Sequence, residues 1–310
     1  EKTILLCKTK HSQSEVYMSA YSKLHPLTCL VGYLCILIPA MFIKNPVIQL
    51  TSLLGSVLFL SVICDRKTIG SDLGFYIPLF VLMAVTNPLF SHNGATPLFF
   101  MNGNPVTLEA VIYGIFMSVM ITSVLLWCKC YGIIINSDKI VYLFGKSLPK
   151  LSLLLSAALK FIPELKRRFR LTSSAQKTLG QYSTESYTDR IKRMCGVFSS
   201  VIGWSLENAV EKNNSMKARG YGMPGRSNYS IFKMTAADKT ISVLYIACLS
   251  LTLAGAFTGK LYFSYYPTVS GIPDSPLALA SYFSYFVCAM IPIIVESEEA
   301  IRWKYYRSKI

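Results

Sequence analysis

Four short stretches of the 310-residue chain hold residue types at spacings that can do chemistry. Gly220-Tyr221-Gly222-Met223-Pro224-Gly225 matches G-x-G-x-x-G, in which glycines let a backbone approach a pyrophosphate. That chemistry requires a strand before the glycines and a helix after them. Here a helical pattern precedes the glycines and Pro224 stands among them. Gly145-Lys146-Ser147 has the end of a phosphate-binding loop, but Ile140 stands where the upstream glycine is needed. Cys128 and Cys130 form a lone C-x-C pair, whereas a zinc site needs a second pair or histidines at set spacings. His11, His25 and His92 lie far from it in sequence, so the nine cysteines are read as small hydrophobes. No Ser/His/Asp set or carboxylate pair is recognisable. Neither a catalytic residue, a cofactor nor a metal is expected.

The fourth stretch is Ser215-Met216-Lys217-Ala218-Arg219-Gly220, echoed by Ala175-Gln176-Lys177-Thr178-Leu179-Gly180. Each closes a helical pattern with a basic residue and then a glycine. Two readings stay open. Glycine supplies the left-handed helix cap, and a cation in the last turn complements the helix dipole by about 0.3–1 kcal/mol. Alternatively, two amphipathic helices that each end on a basic residue and then a glycine carry a repeated device.

The elements that carry these ends are two long amphipathic helices. Leu151, Leu154, Leu155, Ala158, Phe161, Ile162, Leu165, Phe169 and Leu171 recur mostly at three- and four-residue steps. Lys160, Glu164, Lys166, Arg167, Arg168 and Arg170 fill the other face. Pro163 is expected to bend this helix or open a new turn. Gly180–Thr188 breaks the pattern. A second helix is predicted from about Asp189 to Lys217, with Phe198, Ile202, Leu206, Ala209 and Met216 on its apolar face. Basic amphipathic helices lie on membranes or dock partner helices.

The rest of the chain is membrane-like. Hydrophobic residues make up 52% and charged residues 15%, against about 25% charge in soluble domains. This excludes a disordered chain, a disulfide-stapled domain and an ordinary soluble enzyme. A bilayer crossing needs about 20 mostly apolar residues, and six spans are predicted: Leu24–Ile43, Pro46–Cys64, Leu73–Phe90, Val106–Cys128, Ile241–Phe257 and Pro276–Val295. The expected class is an all-α polytopic membrane protein in three parts: residues 1–128, a basic block at 129–237, and 238–310. These spans leave almost no ionisable residue in the membrane, Glu109 standing at the start of the fourth. The segment Ser91–Pro105 is expected to be a folded surface loop, the other reading being one that dips into the interface. Residues 8–23 are polar and no small-residue cleavage site follows an apolar run, so no cleavable signal peptide is expected.

Charge orients the spans. Of 31 Lys and Arg, four fall in residues 1–23, two in 65–72, nineteen in 129–239 and four in 296–310, leaving Lys44 and Lys260 for the opposite side. Basic residues concentrate on the cytoplasmic side. Both termini and the central block are therefore expected there, with Ser183 and Asn228 cytoplasmic and Asn93 and Ser270 outside. The net charge of +15 is drawn largely from the block. It suits anionic lipid heads or an acidic protein partner; no pattern for nucleic acid is present.

Several stretches fall into a familiar order: Leu24-His25-Pro26-Leu27-Thr28; Asn87-Pro88-Leu89-Phe90 with His92 and Gly94; Thr107-Leu108-Glu109-Ala110; Lys160-Phe161-Ile162-Pro163-Glu164-Leu165; Ala175-Gln176-Lys177; and Met216-Lys217-Ala218-Arg219-Gly220-Tyr221 with Arg226. On this topology the chain resembles the transmembrane T component of energy-coupling factor (ECF) transporters, the EcfT/CbiQ family of vitamin and metal-ion importers. The resemblance implies a non-catalytic coupling subunit of an ABC transporter in the bacterial cell membrane. Its implied partners are two cytoplasmic ATPases, a substrate-binding membrane subunit and membrane lipids. It further implies that the long helices are coupling helices whose Ala-Arg-Gly ends enter ATPase grooves. Ala218, Arg219 and Gly220 then form one coupling end, and Ala175, Gln176, Lys177, Leu179 and Gly180 the other. The first end departs from the pattern, with Leu179 at the Arg position, which leaves its ionic contact open and Gln176 and Lys177 able to dock. Two other classes fit less well. A conventional importer permease needs a polar path between its spans, and a lipid-modifying enzyme needs acidic or His clusters at the cytoplasmic span ends; the sequence offers neither.

Overall fold

The computed structural model describes residues 20–64, 66–91, 94–101, 104–179, 187–221, 223–224 and 232–307. His92, Asn93, Gly180, Ser183, Arg226 and Asn228, singled out above, lie outside them. The chain divides into two compact units. One joins the residues up to Asn136 with those from Phe232 onward, and the other runs from Ser137 to Ile231.

In the first unit, polar caps and prolines set the helix starts. The order is α1 (Ala20–Lys23), α2 (Pro26–Phe42), α3 (Pro46–Ile63), α4 (Arg66–Phe90), β1 (Pro97–Met101), β2 (Asn104–Thr107) and α5 (Leu108–Ile134). After the second unit come α9 (Ala236–Phe257) and α10 (Pro276–Arg307). Pro26 and Pro46 pre-set the first helical turn, while His25 and Asn45 accept from the amides of Leu27 at 3.3 Å and Val47 at 3.0 Å. Thr107 caps α5 through Ala110, and Thr235 with Asp238 forms a capping box on α9.

Five of these helices are long and apolar enough to cross a bilayer, and α2 is a shorter apolar helix of 17 residues. At 1.5 Å per residue α2 spans about 26 Å. It is thus shorter than the predicted Leu24–Ile43, because His25 and Ile43 are non-helical caps. The all-α polytopic class holds, with one two-stranded antiparallel ribbon between α4 and α5.

The core is made by small residues that let bulky rings in. Tyr21, Phe59, Trp127, Tyr131 and Tyr245 are buried together with Cys29, Cys35, Cys288 and Ala289. Apolar burial cannot by itself drive helices together in lipid, so close packing and interhelical hydrogen bonds do the work. Trp127 Nε1 donates to the carbonyl and hydroxyl oxygens of Ser52, both at 3.2 Å. The Tyr21 hydroxyl lies 3.1 Å from that of Tyr245 and 3.3 Å from that of Tyr131. Gly32 makes room for the pair: a Cβ there would sit 2.6 Å from Tyr21 Oη and 2.8 Å from the Tyr245 ring.

The charged residues nearest the predicted spans lie at their ends. Helix α4 begins before Leu73 and α5 continues past Cys128, so Asp72 and Lys129 both lie inside helices, where they form an ion pair. Glu109 is buried at the start of α5 and Asp238 at the start of α9.

The second unit contains α6 (Ser137–Ser147), α7 (Pro149–Thr178) and α8 (Tyr187–Ala218). Helix α6 is an addition to the elements expected from sequence. It folds back on α7, where Ser152 Oγ donates to the Val141 carbonyl at 3.0 Å. Helix α7 continues through Pro163, and α8 is a single run of 32 residues.

Candidate functional site

The two helix ends singled out in the sequence carry different tip residues, Arg219 and Leu179. At the end of α8, Gly220 takes φ +83°, a left-handed conformation open to glycine and costly for other residues. Tyr221 N–H then donates back to the Met216 carbonyl at 3.0 Å and Gly220 N–H to that of Lys217 at 2.9 Å. This pair of bonds is the Schellman arrangement, which satisfies the last carbonyls and reverses the chain. Arg219 stands at the cap itself. Its side chain is exposed, and among the described residues its guanidinium has no ion-pair partner.

At the end of α7 the last described residue is Leu179, in the position that Arg219 holds on α8. Leu179 N–H donates to the Ala175 carbonyl at 3.2 Å, and the Leu179 side chain is 75% exposed. Gln176 is half-buried, and its Oε1 has no hydrogen-bond partner among the described residues. A Cβ on Gly196 would lie 3.8 Å from Gln176 Nε2, which places this end of α7 beside the first half of α8.

Further along, the helices are braced by rings and charges. The Phe161 and Trp204 rings stack at 6.2 Å and 3°, with Arg168 5.2 Å from the Trp204 centroid and Lys212 Nζ 4.5 Å from that of Phe161. Glu164 accepts from Lys212 at 2.7 Å and from Asn208 at 3.3 Å. Its carboxyl is held below the usual glutamate range, first by the Lys212 hydrogen bond. Residue 176 meets 196 while 164 meets 208 and 212, so α7 and α8 run antiparallel. Arg219 and Gln176 therefore stand at opposite ends of the pair, about 35 Å apart by the helical rise.

The apolar face of the pair is open. Val197 and Val201 are buried, whereas Leu154, Phe198 and Leu206 are each at least 60% exposed. Phe169, Met194, Cys195, Phe198, Ser199 and Ile202 line a groove of about 410 Å³. The periodicity locates this face; it does not show that the neighbouring valines, and not Phe198 or Ile202, fill the space between the helices. Among the described residues no His, Cys, Asp or Glu cluster is arranged to hold a metal ion.

A family model described as CbiQ, cobalt transport protein, matches residues 18–230, more than two thirds of the chain. The chain belongs to the CbiQ family. It is thus a T component of the ECF class, a membrane protein of transport. The matched curated relatives are each named energy-coupling factor transporter transmembrane protein EcfT. One from Bacillus selenitireducens is 30% identical over 112 residues, covering 36% of this chain and 42% of the relative. One from Listeria innocua is 31% identical over 103 residues, covering 33% and 38%. One from Lactobacillus helveticus is 26% identical over 113 residues, covering 36% and 41%. The chain thus spans about two fifths of the length of the relatives it matches.

The motifs that carry the resemblance outside the helix ends have visible structural roles. The His25 amide donates to Asp238 Oδ1 at 3.0 Å and Thr28 Oγ1 to the Asp238 carbonyl at 3.4 Å, joining the starts of α2 and α9. Asn87 Nδ2 donates to the Ala110 carbonyl at 3.2 Å, tying α4 to α5. Sequence reasoning ties these residues to the family alone and misses what they hold together.

Proposed function

We propose that this chain couples ATP hydrolysis by two cytoplasmic ATPases to vitamin or metal-ion uptake by a separate substrate-binding membrane subunit. The observation that carries the reading is the exposed guanidinium of Arg219 on a Schellman-capped helix end. An arginine fork on a fixed tip suits a desolvated groove, and Arg is enriched at interface hot spots. Leu179, exposed at the opposite end of the antiparallel pair, supplies a second and chemically different contact. Two unlike ends favour two different ATPases.

In this reading residues 129–237 are the coupling domain between membrane regions 1–128 and 238–310. The distribution of basic residues supports cytoplasmic termini and a cytoplasmic coupling domain in the bacterial cell membrane. The open apolar face of α7 and α8 suits the substrate-binding subunit. The stiff helix pair then transmits the rigid-body closing of the ATPases, and the chain itself is non-catalytic. The test is affinity purification of the tagged chain from mild detergent, with mass spectrometry of what accompanies it. Recovery of ATPases that are lost in Arg219→Glu is the expected result, and recovery of none with the wild type overturns the reading.

A further inference from the structure

The ribbon between α4 and α5 is a built element. Register pairs Phe99 with Val106, Phe100 with Pro105 and Met101 with Asn104, after an irregularity between Pro97 and Phe99. Its base is locked onto α5. Leu108 N–H donates to the Thr96 carbonyl at 3.0 Å, and buried Glu109 accepts from Thr96 N–H at 3.3 Å and from its hydroxyl at 2.9 Å. Gly94, at φ +145°, closes the approach: a Cβ there would sit 2.6 Å from both Glu109 Oε2 and Thr107 Oγ1. Strand β2 runs directly into α5 and packs against α4 and α5.

This fixed ribbon presents apolar side chains to its surroundings. Residues 94–108 contain no charged residue. Leu98 is 56% exposed and Phe100 71%, and Phe90, where α4 ends, is 81% exposed. Since α4 and α5 both cross the bilayer, the ribbon stands at the hydrocarbon edge. A ribbon with two open edges cannot enter the hydrocarbon, where unpaired amides and carbonyls have no water. At the headgroup boundary those edges are hydrated while the Leu and Phe side chains leave water. Beside the ribbon a cluster of tyrosines packs around the buried ring of Tyr265. Tyr113 lies 5.3 Å from Tyr265 and 5.4 Å from Tyr266, and the Tyr266 hydroxyl is 3.5 Å from Ser91 Oγ at the end of α4.

We propose that the ribbon of β1 and β2 is an interfacial anchor whose occupant is the lipid surface, with Leu98 and Phe100 seated at the boundary of headgroups and acyl chains. Clamped through Glu109, it fixes the depth of α5. Helix α4, which packs mainly on α5, is fixed with it. This goes beyond the coupling role and does not depend on it.

The test is Phe100→Trp in the full chain, with any subunits that accompany it, reconstituted in lipid nanodiscs. The emission added relative to the wild type is read with lipids brominated on the upper acyl chain and, separately, with aqueous acrylamide. Loss of the added emission to the brominated lipid, with little loss to acrylamide, is expected. Quenching by acrylamide alone makes the ribbon a solvated loop and overturns the proposal. Protection from both quenchers means that another protein covers it, which equally overturns it. Leu98→Trp is read in the same way if Phe100→Trp does not fold.

Discussion

Lys212 of α8 donates to Glu164 of α7 at 2.7 Å, beside the stacked rings of Phe161 and Trp204. Charge and stack together hold the antiparallel pair that carries both helix ends. The carboxyl of Glu164 is lowered in the folded protein. A lowered carboxyl contributes stability that is fully present above the unfolded glutamate value of about 4.3 and lost as pH falls through the folded value. Wild type should therefore unfold at a higher temperature than Glu164→Gln at neutral pH, with the gap closing below about pH 4. Thermal circular dichroism of the full chain at several pH values checks it; a gap unchanged by acid would refute the assignment.

The rings make a separate prediction. An aromatic pair is worth about 0.5–1.5 kcal/mol beyond its burial, and Arg168 and Lys212 each add a cation to it. Trp204→Ala should raise amide exchange along the middle of α7 and α8 while leaving α3, α5 and α10 protected. Trp204→Phe should restore most of the protection. Uniform loss across all helices would show that the stack does not act locally.

Asp72 and Lys129 form the ion pair that joins α4 to α5. Their side chains are 15% and 26% exposed, between the exposed case, worth about 1 kcal/mol or less, and the buried case, where removing one partner costs about 3–5 kcal/mol. Lys129→Met should leave a partly desolvated carboxylate and destabilise by an amount between those limits. Asp72→Leu combined with Lys129→Met should recover most of the loss, because no charge then remains unpaired. Melting midpoints of the two single variants and the double variant close the cycle, and simple additivity would show that the residues do not interact.

Legibility in the sequence follows the range of each interaction. The spans are readable because about 20 apolar residues in a row is a local requirement. The long helices α7 and α8 are readable because their period is local too. Contacts between helices are not: Asp72 falls just before one predicted span and Lys129 just after another, and only the packed structure brings them together. The ribbon does leave a signal, Asn102-Gly103 between Phe99-Phe100-Met101 and Asn104-Pro105-Val106, a pair typical of two-residue turns. Surrounding Pro and Gly make the stretch read as a loop. Helix α6 escapes because its 11 residues are short. At the helix ends, sequence names Arg219 and Gly220 but cannot say that the two ends face opposite ways along the pair.

Leu179 tests the chemistry of the second contact. An exposed leucine at a helix tip suits a groove that excludes water. Leu179→Arg should then place an unpaired guanidinium in an apolar site, at a cost of several kcal/mol. ATPase retention by the purified chain should fall. Retention equal to or better than the wild type would show instead that the groove is acidic and that both ends use the same ionic contact.

Arg219 separates a cap from a contact. The cap at this end is made by Gly220 and by the backbone bonds from Gly220 and Tyr221, none of which uses the Arg219 side chain. The side chain's share in capping is therefore limited to its charge near the helix end, about 0.3–1 kcal/mol. A hot-spot arginine contributes about 2 kcal/mol or more to binding. Arg219→Ala should leave the chain in the membrane and weaken ATPase retention by at least the larger amount, and Arg219→Glu should weaken it further by placing like charges together. Arg219→Lys decides between the two roles. Lysine keeps the charge, so a dipole effect would survive almost intact. It lacks the planar fork, so a docked guanidinium would not be replaced. Uptake and ATPase retention measured for Arg219→Lys beside the wild type should both be reduced; full activity would leave Arg219 with the cap alone.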